Sequence, residues 1–286
     1  MKRYKNINLI AALSFAVVSA TITSCSNEVD FGEQFKKTVY IVNSNDLLHT
    51  SEHFFGARND EIVISVYVAS SEPITSDLKA RLKLEPKALD SLNTLNALID
   101  PSYIDKVMLP AVNFQIEGDP EVTIKAGEQY GTLRMPFHTA GLNPDIAYTI
   151  PMALLSNSAG FDINPALQMI VYEIRLVNQY SGLFAGISQE SPTVSPGVQP
   201  VLKAMSTNTV RMPIHTLNDD WQHINTNFML LTIAENGNVA ITPWAEANVT
   251  DLGGSFYDAQ NQTFELNYQF SIGFVQYTIK QTISKI

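Results

Sequence analysis

One cysteine, Cys25, is all the thiol chemistry this 286-residue chain contains. A lone thiol excludes a disulfide framework, so a hydrophobic core must hold the fold. Basic residues are scarce as well: 18 Lys and Arg face 28 Asp and Glu, a formal charge of −10. Nucleic-acid backbones are bound by clustered cations, and this balance argues against such a partner. The sequence has no Gly-x-Ser-x-Gly elbow, no phosphate-binding glycine loop and no Asp-x-Asp-x-Glu strand of the chitinase type. Helical periodicity is rare, and there is no sustained repeat or low-complexity tract.

The one long apolar run lies at the N-terminus. Lys2, Arg3 and Lys5 form a positive region, residues 9–20 are uncharged and mostly apolar, and Ile22-Thr23-Ser24-Cys25 follows. That order describes a secretory signal, because the run is too short to span a bilayer comfortably. Small residues before a cysteine are what a lipoprotein signal peptidase reads. We therefore expect a signal peptide over 1–24 and lipidation at Cys25, where several acyl chains hold a protein far more firmly than one. A polar tether over 25–37 follows, whose acidic residues resemble the surface-export signals of lipoproteins in the Bacteroides lineage. The expected location is the outer membrane, held by the lipid alone and facing the cell exterior. Removal of residues 1–24 leaves 15 basic residues against 28 acidic ones, a balance of −13.

The remaining chain reads as strands. Ile62, Ile64, Val66 and Val68 share one face at period two, and Phe264, Leu266, Tyr268 and Phe270 alternate with polar residues without exception. Each pattern describes a strand with one buried and one wet face. Within residues 170–176 the charges Glu173 and Arg175 fall on odd positions. Asn236-Gly237 suggests a two-residue hairpin turn, and Ser271-Ile272-Gly273 a second reversal before Phe274. Pro86 followed by Leu89, Leu92 and Leu95 predicts one short helix, closed by Pro101. Residues 188–200, with three prolines, read as a long loop. Many short strands between turn signals argue for a sandwich or a barrel.

Five segments, in order, carry a family resemblance: Val39-Tyr40-Ile41, the helix around Leu89, Met108-Leu109-Pro110 through Phe114, Val122-Thr123-Ile124-Lys125-Ala126-Gly127-Glu128, and Tyr148-Thr149-Ile150-Pro151-Met152. Over residues 38–177 the chain resembles the N-terminal domain of lipoproteins from Bacteroides polysaccharide-utilisation loci, catalogued as DUF1735. The resemblance implies an immunoglobulin-like β-sandwich, with Met108 to Phe114 as a strand and Pro110 and Pro151 at strand ends or edges. Residues 178–286 are similar to the lipocalin-like domain that often follows, catalogued as DUF4361. Tyr180-Ser181-Gly182-Leu183-Phe184-Ala185-Gly186 resembles its opening strand, and Phe256-Tyr257-Asp258 through Tyr268 its closing hairpin. The expected fold class is all-β: a sandwich followed by an antiparallel lipocalin-like barrel, with a second sandwich as the alternative. Asn143-Pro144-Asp145 departs from the family turn.

Candidate chemistry is sparse. His49-Thr50-Ser51-Glu52-His53 spells H-x-x-E-H, the order of inverted zincins. That chemistry needs both histidines on one helical face and a further ligand, whereas this segment follows a strand and ends at Gly56, so we expect a polar loop and no metal. Asp219 and Asp220 are adjacent, and on a strand they would point to opposite faces. That suits a solvated turn better than the facing carboxylates of a glycosidase. No cofactor and no catalysis are expected. Trp221, after Asn218-Asp219-Asp220, and Trp244, after Thr242-Pro243, sit in polar, turn-like surroundings. A flat ring beside carboxylates is what a sugar needs, stacking for its C–H face and hydrogen bonds for its hydroxyls. Trp221, Trp244, Tyr257, Asp219 and Asp220 are thus the candidate glycan-binding residues; the alternative is that each tryptophan plugs an end of the barrel.

The expected function is carbohydrate capture without cleavage, serving a polysaccharide-uptake system with an outer-membrane importer as partner. The rival is an assembly role in a surface or fimbrial complex, and an enzyme comes third. Because Cys25 is the only acylation site, Cys25→Ala should move the protein from membrane to soluble fractions. Continued membrane partition of that variant would contradict the lipoprotein reading.

Overall fold

The structure, a computed structural model, describes residues 36–57, 60–116, 118–190 and 197–286. Cys25 and the tether up to residue 35 lie outside the described residues.

The first half is a two-sheet sandwich, as the resemblance implies. Its strands are β1 (Thr38–Ile41), β2 (Leu48–Phe54), β3 (Asp60–Ala69), β4 (Leu78–Leu84), β5 (Val107–Met108), β6 (Glu121–Ile124), β7 (Tyr130–Phe137), β8 (Tyr148–Asn157), β9 (Asp162–Ile163) and β10 (Met169–Val177). One sheet runs β7-β3-β1-β9. The other runs β2-β10-β8-β4-β6, with β5 added beside β8. Alternation supplies the core: Ile62, Ile64, Val66 and Val68 of β3 face Leu82, Ile150, Ile170 and Ile174 across the sandwich, all buried. Burying one such side chain contributes about 1.5–3 kcal/mol.

The single α-helix among the described residues, α1 (Pro86–Ile99), starts with Pro86 in its first turn, where the missing N–H costs nothing. Ala88, Leu89 and Leu92 pack on Val171, beside Leu48 and Met108. Leu95 does not join them. It is exposed, one turn further along, beyond the apolar group that the first turns cover.

Three local expectations need correction. Pro151 is not at an edge: it lies inside β8, between β10 and β4. Its missing N–H falls where the neighbour of β8 changes from Leu84 of β4 to Met108 of β5, and its carbonyl accepts from Glu85 N at 3.0 Å. Residues 108–114 are mostly not a strand. After Met108 they form a 3-10 turn, Ala111–Asn113, fixed by buried Asn113 donating to the carbonyls of His138 and Ala140, both at 2.9 Å. Residues 188–190 and 197–198, read as loop, are strand.

The second half is the expected barrel. Strands β11 (Gly182–Glu190), β12 (Gly197–Val198), β13 (Val201–Ala204), β14 (Thr209–Pro213), β15 (Phe228–Ile233), β16 (Val239–Pro243), β17 (Val249–Asp251), β18 (Phe256–Asp258), β19 (Thr263–Ile272) and β20 (Val275–Lys285) form one antiparallel meander. β20 returns to β11. On the other side β16 meets β17 and β18: Val239 N donates to Ser255 O at 3.0 Å and Tyr257 N to Gly237 O at 2.8 Å. β17 and β18 both pair with β19, their registers separated by an irregularity around Gly253 and Gly254. The Asn236-Gly237 hairpin has a three-residue turn, closed by Ala234 N to Asn238 O at 2.9 Å with Gly237 at φ 85°. The last reversal is Gly273-Phe274, since β19 runs on through Ile272.

The two halves are joined by a charge clamp. Arg211 points outward from β14, yet its side chain is only 4% exposed, because Asp145 of the sandwich covers it. Arg211 Nη1 and Nη2 donate to the Asp145 oxygens at 2.9 and 2.7 Å, and Lys203 Nζ adds a third bond at 2.8 Å. Asn178, at the junction, donates to the carbonyls of Ser206 and Thr209. Burial by itself raises the Asp145 pKa, but hydrogen bonds from Arg211 and Lys203 outweigh it and hold the carboxyl below its usual range. A lowered pKa means stability that is present above the unfolded value, about 3.9, and lost as pH falls through the folded one. Asp145→Asn should therefore cost about 2 kcal/mol at neutral pH and flatten the acid limb of the unfolding profile; an unchanged profile would show that the clamp contributes nothing.

Candidate functional site

The barrel interior is filled. Phe184, Met212, Met229, Leu231, Phe264, Leu266 and Tyr268 occupy it, as small barrels require. A ligand must therefore use the outside or the rim.

At one rim, the β14–β15 loop carries Trp221. Asp220 accepts from Gln222 N at 3.0 Å and His223 N at 3.1 Å, capping the short 3-10 turn Trp221–His223. His223 Nδ1 adds a contact of 2.7 Å to the same oxygen. The His223 hydrogen bond is the main reason that the Asp220 carboxyl lies below its usual range. The cap fixes the turn and leaves Trp221 65% exposed. Asn227 donates to Asn218 O at 2.9 Å, and Glu246 N donates to Asn225 O at 2.8 Å, tying this loop to the one after β16. Asp219 is exposed beside the turn.

Trp244 is placed differently. Its ring is half-buried on the outer face of the barrel, with the Arg211 guanidinium 4.7 Å from the ring centroid. Its indole N–H is buried without an acceptor among the described residues. One face of this ring thus belongs to the domain clamp.

Tyr257 does not belong to the rim surface. It is 6% exposed and packs edge-on against Tyr180 at 5.0 Å and at a tilt against Phe264 at 4.6 Å. The alternation of Phe256-Tyr257-Asp258 as a strand turns it inward. The structure therefore groups Trp221, Asp219 and Asp220, puts Trp244 beside the clamp, and buries Tyr257.

The H-x-x-E-H segment is strand β2, paired with β10, and not the polar loop expected. Four residue steps along a strand set His49 and His53 about 13 Å apart, too far for one ion held at about 2 Å from each nitrogen. His53 is buried, with Nδ1 2.9 Å from Asp60 and Nε2 3.1 Å from the Tyr172 hydroxyl. Glu52 points to the opposite face and is exposed.

Two features escaped the sequence reading. Phe274 is fully exposed at the tip of the last hairpin, beside exposed Ile272 and Val275. Ser271 N donates to Asn248 O, so this tip stands at the same barrel end as the loop of Trp244; a glycine opening a two-residue reversal was its only signal. The second is a cleft of about 930 Å³ between the two halves, lined among others by Glu52, Phe54, Arg175, Leu183, Val201 and Lys203.

Comparison with known proteins supports the fold. A family model for an N-terminal domain matches residues 35–160, and one for a C-terminal domain matches residues 168–284. No curated protein matches the chain. A multidomain Bacteroides ovatus protein that includes DUF1735 is similar at TM-score 0.60 and 13% identity, covering 88% of this chain and 93% of its own. A second B. ovatus structure, of unknown function, gives TM-score 0.59 and 13% identity over 87% and 93%. A Bacteroides thetaiotaomicron protein described as an auxiliary nutrient binding protein gives TM-score 0.53 and 13% identity over 82% and 89%.

The two tryptophans should behave differently. Trp244→Ala uncovers Arg211 and should lower the unfolding free energy by about 2 kcal/mol, part of the 3–5 lost at a core aromatic. Trp221→Ala should stay within about 0.5 kcal/mol of the parent. Equal melting temperatures for the two variants would refute the placement of Trp244 in the clamp.

Proposed function

Taking as premise that this chain belongs to the two-domain Bacteroides family in which a DUF1735 sandwich precedes a lipocalin-like barrel, we propose that it is a surface lipoprotein that captures carbohydrate without cleaving it. The observation that carries this reading is Trp221. A large ring left mostly in solvent, on a turn that its neighbour Asp220 holds rigid, loses little conformational freedom when a ligand stacks on it. Exposed aromatic rings beside carboxylates and amides suit the two-sided surface of a sugar. Asp219, Asp220 and Asn218 supply polar groups next to that ring.

Cys25 supplies the anchor in this reading, and the acidic exterior keeps the domains soluble near the envelope. In this reading Asp219 and Asp220 serve binding: Asp220 spends one oxygen on capping its own turn, and Asp219 stands exposed beside the same ring. The partner in this reading is an oligosaccharide, delivered to an outer-membrane importer.

Trp221→Ala should weaken retention on a polysaccharide affinity gel by about thirtyfold, the equivalent of about 2 kcal/mol, without hydrolysis of the polysaccharide by either form. Undiminished retention would discard the ring as a platform. Release of reducing sugar by the purified protein would replace capture with catalysis.

A further inference from the structure

The outward face of the sheet β2-β10-β8-β4-β6 is covered in two parts. Over Leu48 and Val171, at the starts of β2 and β10, helix α1 lies on it. Over the ends of the same strands the barrel faces it instead. Pairing of Arg175 with Glu52 and of Val177 with Phe54 puts these four residues on that face, since their neighbours Tyr172, Ile174 and His53 are buried on the other. The barrel presents its own outward positions, Leu183 of β11 and Val201 and Lys203 of β13, interleaved with buried Phe184, Leu202 and Ala204. Two sheet faces thus enclose the cleft of about 930 Å³, a slot of ligand-binding size at a domain junction. The Asp145 clamp bridges the two walls at the margin of the slot.

The walls are chemically mixed. Two of their carboxylates are already satisfied: Asp145 by Arg211 and Lys203, and Glu173 by Lys106 at 2.6 Å and Thr50 at 2.7 Å. Glu52, Arg175, Gln179, Gln262 and Lys285 also line the slot, and no side-chain hydrogen bond or ion pair engages them among the described residues. The Phe54 ring is 55% exposed beside them. Sugar hydroxyls both donate and accept, so they need cationic donors, carboxylate or amide acceptors and an aromatic face together. This slot offers all three on rigid strands. A lipid tail would bury Arg175 and Glu52 without partners, which is unfavourable. A peptide strand pairs with the free backbone of a sheet edge, whereas the edge strand β2 lines this slot with the side chains of Glu52 and Phe54.

We propose that the slot between sandwich and barrel is an oligosaccharide-binding site, with Phe54 stacking on a sugar ring and Arg175 and Glu52 bonding neighbouring hydroxyls. It rests on the reading of the protein as a glycan-capture protein but lies apart from Trp221. The test uses the full chain with tetra- to hexasaccharides from xylan, mannan, pectin and starch as probes. Affinities are measured calorimetrically for the parent, Phe54→Ala, Arg175→Ala, Val201→Trp and Trp221→Ala, with unchanged melting confirming that each is folded.

The slot predicts at least tenfold weaker binding in the first three variants, Val201→Trp acting by filling it from the barrel side. Loss in these three with Trp221→Ala unaffected upholds the slot and removes the rim platform. Loss in Trp221→Ala alone overturns the slot and leaves the rim standing. Loss in all four upholds both as one bivalent surface. A parent that binds none of the probes overturns both.

Discussion

The carboxylate of Asp145, held between Arg211 and Lys203, is the contact on which the arrangement of the two domains depends. An arginine pointing outward from a barrel strand would ordinarily lie in water. Here a sandwich loop covers it, and a buried guanidinium is tolerated only with its partner in place. The same guanidinium stacks over Trp244 and lies 5.7 Å from the Phe228 ring, so one ion pair organises an aromatic patch as well as the junction. Asn178 reinforces it from the connecting segment.

That clamp has consequences for binding surfaces. It takes one face of Trp244 out of circulation and leaves Trp221 as the free ring of the pair. It also bridges the wet faces of a sheet and of a barrel where they line one cleft. Since the barrel interior is packed with Phe184, Phe264 and Tyr268, the lipocalin-like architecture here works as a scaffold for its outer surfaces and loops and not as a cup.

The fold was largely legible because strand burial has period two. Ile62 to Val68 and Phe264 to Phe270 alternate in the sequence and alternate in burial. Where legibility failed, the cause was a neighbour remote in the chain. Pro151 reads as an edge residue until β4 and β5 are seen to leave its missing donor unneeded. Leu95 continues an apolar stripe with nothing to cover it. His49 to His53 spells a zinc motif only if helical, and pairing with β10 makes it a strand. Tyr257 stood among the candidate sugar contacts, but the strand pleat carries its ring into the core.

Local chemistry alone determined several properties: the signal-like N-terminus with its cysteine, the acidic balance, the all-β character, the helix after Pro86, and the polar turn that presents Trp221 after Asp220. Each depends on composition or on residues within a few positions of one another, and none on how distant segments meet. Only the tertiary structure decided which tryptophan is free, that Asp145 joins the domains, and that Glu52, Phe54 and Arg175 share one wall facing Leu183 and Val201. Those facts depend on residues from some thirty to more than a hundred and twenty positions apart meeting in space, and on the register of the sheets, which no local pattern encodes.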